Sequence, residues 1–109
     1  MAVRCDEYNG VCVVTPGGDL AGDDAAEARR RCDERLGTVS FVFDLGDCDF
    51  IDSAGLEALC HVRRSCDEAG THVALARPRP NCAKILEMTR LASRFDCHAS
   101  LTAAVSAAR

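Results

Sequence analysis

The chain has 109 residues, 48% of them hydrophobic and 28% charged, and a net charge of −4. That length supplies one domain with a single two-layer core and is too short for two. The acidic balance speaks against a nucleic-acid footprint, which needs a basic face. No apolar run reaches the roughly 20 residues of a membrane-spanning helix.

The start of the chain, Met1-Ala2-Val3-Arg4-Cys5-Asp6-Glu7, lacks the apolar core of a secretory signal. The expectation is a single domain over residues 1–109, cytoplasmic and without a membrane partner. The densest basic run, Arg29-Arg30-Arg31, is followed almost at once by Asp33 and Glu34. On a helix it fans around a solvated face.

Residues 3–6 and 11–15 read as two strands joined by a turn at Asn9-Gly10. Pro16-Gly17-Gly18 ends the second strand. After a loop at residues 19–22, Asp23 or Asp24 can cap a helix whose stripe is Ala25, Ala28, Cys32 and Leu36, with Gly37 as its stop. Residues 39–45 are the most strand-like run in the chain and predict a central, covered strand. A polar bend, the apolar pair Phe50-Ile51 and Asp52-Ser53 come next. Leu56, Leu59, Cys60, Cys66 and Ala69 then predict a helix ended by Gly70. Residues 72–76 form a fourth strand. Asn81 can cap a helix carrying Ile85, Leu86 and Met88, residues 95–97 form a short edge strand, and Ser100 can cap a last helix. The order ββαβαβαβα predicts a small α/β domain, a mixed sheet with helices mainly on one face.

Eight cysteines suggest a disulfide framework or a metal site, yet no two form a C-x-x-C pair. Cys12, Cys32 and Cys66 stand where a small apolar residue would serve, so core filling is the expectation, with a regulatory thiol as the alternative. His61, His72 and His98 add no ligand spacing, and neither a metal nor a cofactor is expected. No Ser-His-Asp set, Gly-rich phosphate loop or carboxylate dyad assembles, and the chain is not expected to be an enzyme.

Chemistry concentrates at Asp52-Ser53-Ala54-Gly55-Leu56. A hydroxyl where a strand hands over to a helix can cap that helix. It can also carry a phosphate, because unpaired N–H groups and the positive dipole end favour an anion there. On that second reading the N–H groups of Gly55 and Leu56 would face a phosphate on Ser53, and Asp52, Asp19 and Asp49 would repel it. Asp52 is either a loop acceptor or a group orienting Ser53. Gly55 serves either close packing or the approach of a partner loop. Asp44 reads as an end-of-strand carboxylate outside the site.

Residues 41–59 resemble the signature of the STAS domain of bacterial anti-sigma factor antagonists: an apolar strand ending in Asp44-Leu45, a Phe50-Ile51 pair, then Asp52-Ser53-Ala54-Gly55-Leu56. Gly18-Asp19-Leu20 is similar to the family's Gly-Glu-Leu-Asp loop. The resemblance implies that the chain binds an anti-sigma factor that is also a serine kinase, that Ser53 is the residue phosphorylated, and that phosphorylation breaks the complex until a serine phosphatase resets it. It places partner contacts at Gly18, Asp19, Leu20, Asp52, Ser53, Ala54, Gly55 and Leu56. The sequence departs from the pattern twice: Ala54 stands where a second hydroxyl is frequent, and Ala21 where the loop carries Asp. The same resemblance leaves an alternative, an accessory subunit docking on the ATPase of a lipid-trafficking ABC transporter.

Overall fold

The computed structural model describes residues 3–109; Met1 and Ala2, which open the segment read as lacking a signal, lie outside them. Its centre is β3 (Ser40–Asp44), in which all five residues are buried. Such a strand must be covered on both faces, and its alternation decides by what. Phe41 and Phe43 point into the larger core, Val42 into the smaller.

The strands β1 (Arg4–Tyr8), β2 (Val11–Thr15), β3, β4 (Val73–Ala76) and β5 (Asp96–His98) lie in chain order across one sheet. The β1–β2 hairpin is antiparallel, Tyr8 pairing with Val11 around Asn9 and Gly10, both at positive φ. All later pairings are parallel. Parallel neighbours need crossovers. Here these are α1 (Gly22–Asp33), α2 (Ser53–Ala69) and α3 (Pro80–Met88).

Ala25, Ala28 and Cys32 of α1, Leu59, Val62 and Cys66 of α2, and Cys82 and Leu86 of α3 share one core with Cys12, Val14, Phe41, Phe43 and Leu75. The last helix, α4 (Leu101–Ala108), lies alone on the opposite face, where Ala104 and Ala108 meet Val11, Val13, Val42, Ala74 and Ala76. The expected sheet, element order and one-sided bias of the helices are all present.

The cysteines read as core filler occupy the core: Cys12, Cys32 and Cys66 are buried, as are Cys48 and Cys82. All eight are free thiols. Among the described residues no helix is long and apolar enough to cross a membrane.

Helix ends differ from expectation at three places. The helix α1 stops at Asp33 with Glu34 as its C-cap, so Leu36 and Gly37 lie in the turns that follow; Gly37, at positive φ, shapes the turn and does not close the helix. The N-cap of α1 is Ala21, which has no side-chain acceptor, not Asp23 or Asp24; these fall in the first turn, where their charge suits the dipole. At α3 the N-cap is Arg79, followed by Pro80 at the first helical position, so Asn81 is already inside the helix. Ser100 caps α4 as expected, accepting the Ala103 N–H at 3.1 Å. Gly70 closes α2 in the left-handed conformation.

Candidate functional site

Two loops meet at the C-terminal edge of the parallel strands, residues 16–21 after β2 and residues 45–52 after β3. The Leu20 N–H donates to the Phe50 carbonyl at 3.1 Å and the Asp52 N–H to the Leu20 carbonyl at 3.3 Å, making a one-rung parallel bridge between Leu20 and Ile51. Asp19 adds a second tie by accepting the Asp49 N–H at 3.1 Å. The sequence-distant Gly18-Asp19-Leu20 and Asp52-Ser53 stretches thus form one surface.

Asp52 holds that surface together. One carboxylate oxygen accepts the Gly55 N–H at 2.8 Å and caps α2. The other accepts the Gly22 N–H at 3.0 Å, at the start of α1. One side chain therefore serves two helix N-termini, and it supplies α1 with the acceptor that Ala21 lacks. The N–H groups of Gly55 and then Gly22 hold the Asp52 carboxyl below its ordinary 3.8.

This geometry corrects two expectations about Ser53. It is not the N-cap of α2, a position taken by Asp52, but the first helical residue. Nor do the Gly55 and Leu56 N–H groups face its side chain: the first goes to the Asp52 carboxylate and the second to the Asp52 carbonyl at 2.9 Å. What remains at Ser53 is an exposed side chain whose hydroxyl has no hydrogen bond to any described residue.

Gly55 is buried, and a Cβ there would overlap the Leu20 carbonyl and come within 2.7 Å of Ile51 Cγ2. Close packing of the two loops therefore accounts for this glycine without a partner. Leu20 is fully buried too and positions its loop from beneath, whereas Gly18, Ala54 and Leu56 are half-buried and Asp19 is exposed.

A family profile of the STAS domain matches residues 2–104. The chain belongs to the STAS domain family. No curated protein sequence matches it, but solved STAS structures superpose well. TM1081 of Thermotoga maritima, assigned as an anti-sigma factor antagonist, matches with a TM-score of 0.86 at 18% identity, over 98% of this chain and 94% of that one. An anti-sigma factor antagonist of Mycobacterium paratuberculosis matches at 0.84 and 22%, over 99% and 93%. SpoIIAA of Bacillus matches in its phosphorylated form at 0.79 and 18%, over 99% and 100%. Its unphosphorylated form, described as an anti-sigma factor antagonist, matches at 0.84 and 17%, over 95% and 93%. At these identities the likeness establishes the fold.

Two features of this STAS domain's surface were missed in the sequence. Phe50 is 49% exposed beside Asp49, while its neighbour Ile51 is 2% exposed. Strand-like alternation across the pair could have separated them. Arg79, from the start of α3, pairs with Asp49 at 3.1 Å and brings a third element to the site's rim. The surface around Ser53 thus carries Asp19 and Asp52, neither paired with a cation among the described residues, together with the Asp49–Arg79 ion pair and one exposed aromatic ring.

Proposed function

We propose that this chain is an anti-sigma factor antagonist, a binding module and not an enzyme. It engages an anti-sigma factor that is also a serine kinase, is phosphorylated by it on Ser53, and is restored by a serine phosphatase. The carrying observation is the Ser53 side chain, exposed and unbonded at the first position of α2, inside the Asp52–Leu56 motif. A hydroxyl with no internal role is free to be fitted by another protein and to accept a phosphoryl group at no cost to a buried network.

The switch follows from charge. A phosphate adds about −1.5 to −2 charges and three acceptor oxygens. The positive end of α2 eases this charge, but the Gly55 and Gly22 N–H groups are already held by the Asp52 carboxylate. The new anion sits beside Asp52, with Asp19 and the Arg79-paired Asp49 on the same surface. A partner surface shaped to a small hydroxyl meets bulk and unmatched charge there. A loss of about 3–5 kcal/mol, as for an uncompensated buried charge, lowers affinity by about two to four decades. Phe50 with Asp19 and Asp52 suits a partner that offers an apolar contact flanked by basic groups.

Capture from source lysate with wild type, Ser53→Ala and Ser53→Asp tests this reading. An ATP-binding serine kinase retained by the first two and lost with Ser53→Asp supports it. A transporter ATPase held equally by all three would replace it with the transport reading.

A further inference from the structure

Beneath the Ser53 surface lie two thiols that the proposed switch leaves unused. Cys48, in the loop before α2, and Cys82, in the first turn of α3, are both buried, with sulfurs 3.5 Å apart. The Cys82 thiol donates to the Cys48 carbonyl at 2.8 Å. The Cys48 sulfur accepts the Leu20 N–H at 3.3 Å, and its own S–H donates to the Phe50 carbonyl at 3.2 Å. Cys48 therefore touches both halves of the bridge that aligns Leu20 with Ile51 and, one residue on, Asp52 with the two helix starts.

We propose that Cys48 and Cys82 are a redox pair, whose oxidation to a disulfide draws the loop before α2 toward α3, away from Leu20, and so dismantles the Ser53 surface. A disulfide needs sulfurs about 2.0 Å apart, so the pair must close by roughly 1.5 Å. Closure removes both S–H protons, and with them the donations to the Phe50 and Cys48 carbonyls. The regulatory part of this inference rests on the Ser53 reading; the chemistry does not.

The oxidant is a hydroperoxide. The Cys48 sulfur, once deprotonated, attacks the peroxide oxygen and takes it as a sulfenic acid, and the departing alkoxide or hydroxide picks up the proton. The Cys82 sulfur then displaces that hydroxyl, which leaves as water with the Cys82 proton. Two thiols lose two electrons and one hydroperoxide gains them. The step is slow, because both side chains are buried and burial pushes the Cys82 thiol up to about 12. The same burial slows reduction of the bond once it has formed. Cys5 offers the contrast: half-buried, with the Cys12 thiol hydrogen-bonded to it and Arg31 nearby, it is held down at about 7 and should be the thiol alkylated first.

The test treats wild-type protein with hydrogen peroxide, blocks remaining thiols under denaturing conditions, and maps peptides without reductant. Expected is a Cys48–Cys82 peptide pair two hydrogens lighter. Amide exchange at Leu20 and Asp52 should rise about tenfold as the bridge opens, and dithiothreitol should reverse both changes. Cys48→Ala and Cys82→Ala should each abolish the linkage, and Cys5→Ser should leave it. Absence of that linkage, or linkage with unchanged exchange at Leu20 and Asp52, overturns the proposal without any partner being involved. Capture of the kinase by reduced but not oxidised protein supports the regulatory part. Capture by both forms overturns that part alone; capture by neither overturns it together with the Ser53 reading.

Discussion

Asp44 and Asp52 bracket one loop and do opposite things. Asp44, at the end of β3, has a side chain only 8% exposed. Its two oxygens meet the Arg77 Nε and Nη2, each at 2.9 Å, and Oδ1 also takes the Gly46 N–H at 3.1 Å. The guanidinium lies over Gly46, where a Cβ would collide with it. Asp52, eight residues on, is half-exposed and holds only backbone N–H groups, with no cation paired to it among the described residues. The first carboxylate is closed on itself by a bidentate ion pair. The second aligns two helix ends and leaves its negative charge on the surface beside a free hydroxyl. Carboxylates of similar position in the loop thus divide into an anchor and a rim.

Removing the anchor's cation should have the largest effect on stability. Arg77→Ala leaves the Asp44 carboxylate buried with one N–H, and denaturant unfolding should show a loss of about 3 kcal/mol, at the low end for a broken buried pair because Arg77 is half-exposed. Overpacking the rim comes next. Gly55→Ala drives a methyl into the Leu20 carbonyl and Ile51, and should lose about 1–3 kcal/mol while shifting the Leu20 and Ile51 amide resonances.

Acid tests the Asp52 side of the comparison. The folded-state pKa of Asp52 lies below its ordinary 3.8, so its contribution is fully present above that value and is lost as pH falls through the lower folded value. Asp52→Asn should therefore flatten the stability curve below about pH 4, as seen by thermal melts across pH. An equally steep acid limb in the variant would mean that Asp52 is not the aligning group. Smallest of all, Ser53→Ala should change stability by no more than about 0.5 kcal/mol, since the hydroxyl bonds nothing in the fold.

What the sequence reveals and what it hides divide along physical lines. Apolar periodicity and turn residues locate the five strands and four α-helices, because β3 is buried on both faces and α2 carries a clean stripe closed by Gly70. They do not locate the short 3-10 helix at Ala92–Arg94, whose three residues carry no periodic signal. The meeting of Gly18-Asp19-Leu20 with Asp52-Ser53 was legible only through the family signature, since the Leu20–Ile51 bridge joins residues 31 positions apart. The double capping by Asp52 was not legible at all. It depends on Ala21 and Gly22 offering no acceptor of their own and on two helix starts converging, a three-dimensional fact with no local pattern. Asp44 could be set aside from its place at the strand end, but its partner could not be named, because Arg77 reaches it from a residue at positive φ after a neighbouring strand.

On the function proposed above, charge on Ser53 governs a partner's grip on this surface. The direct measurement is calorimetric titration of the captured kinase with unmodified protein and with protein fully phosphorylated at Ser53, verified by mass spectrometry. A fall in affinity of about two to four decades on phosphorylation is the result expected. Equal affinity of the two forms would rule out Ser53 as the switch.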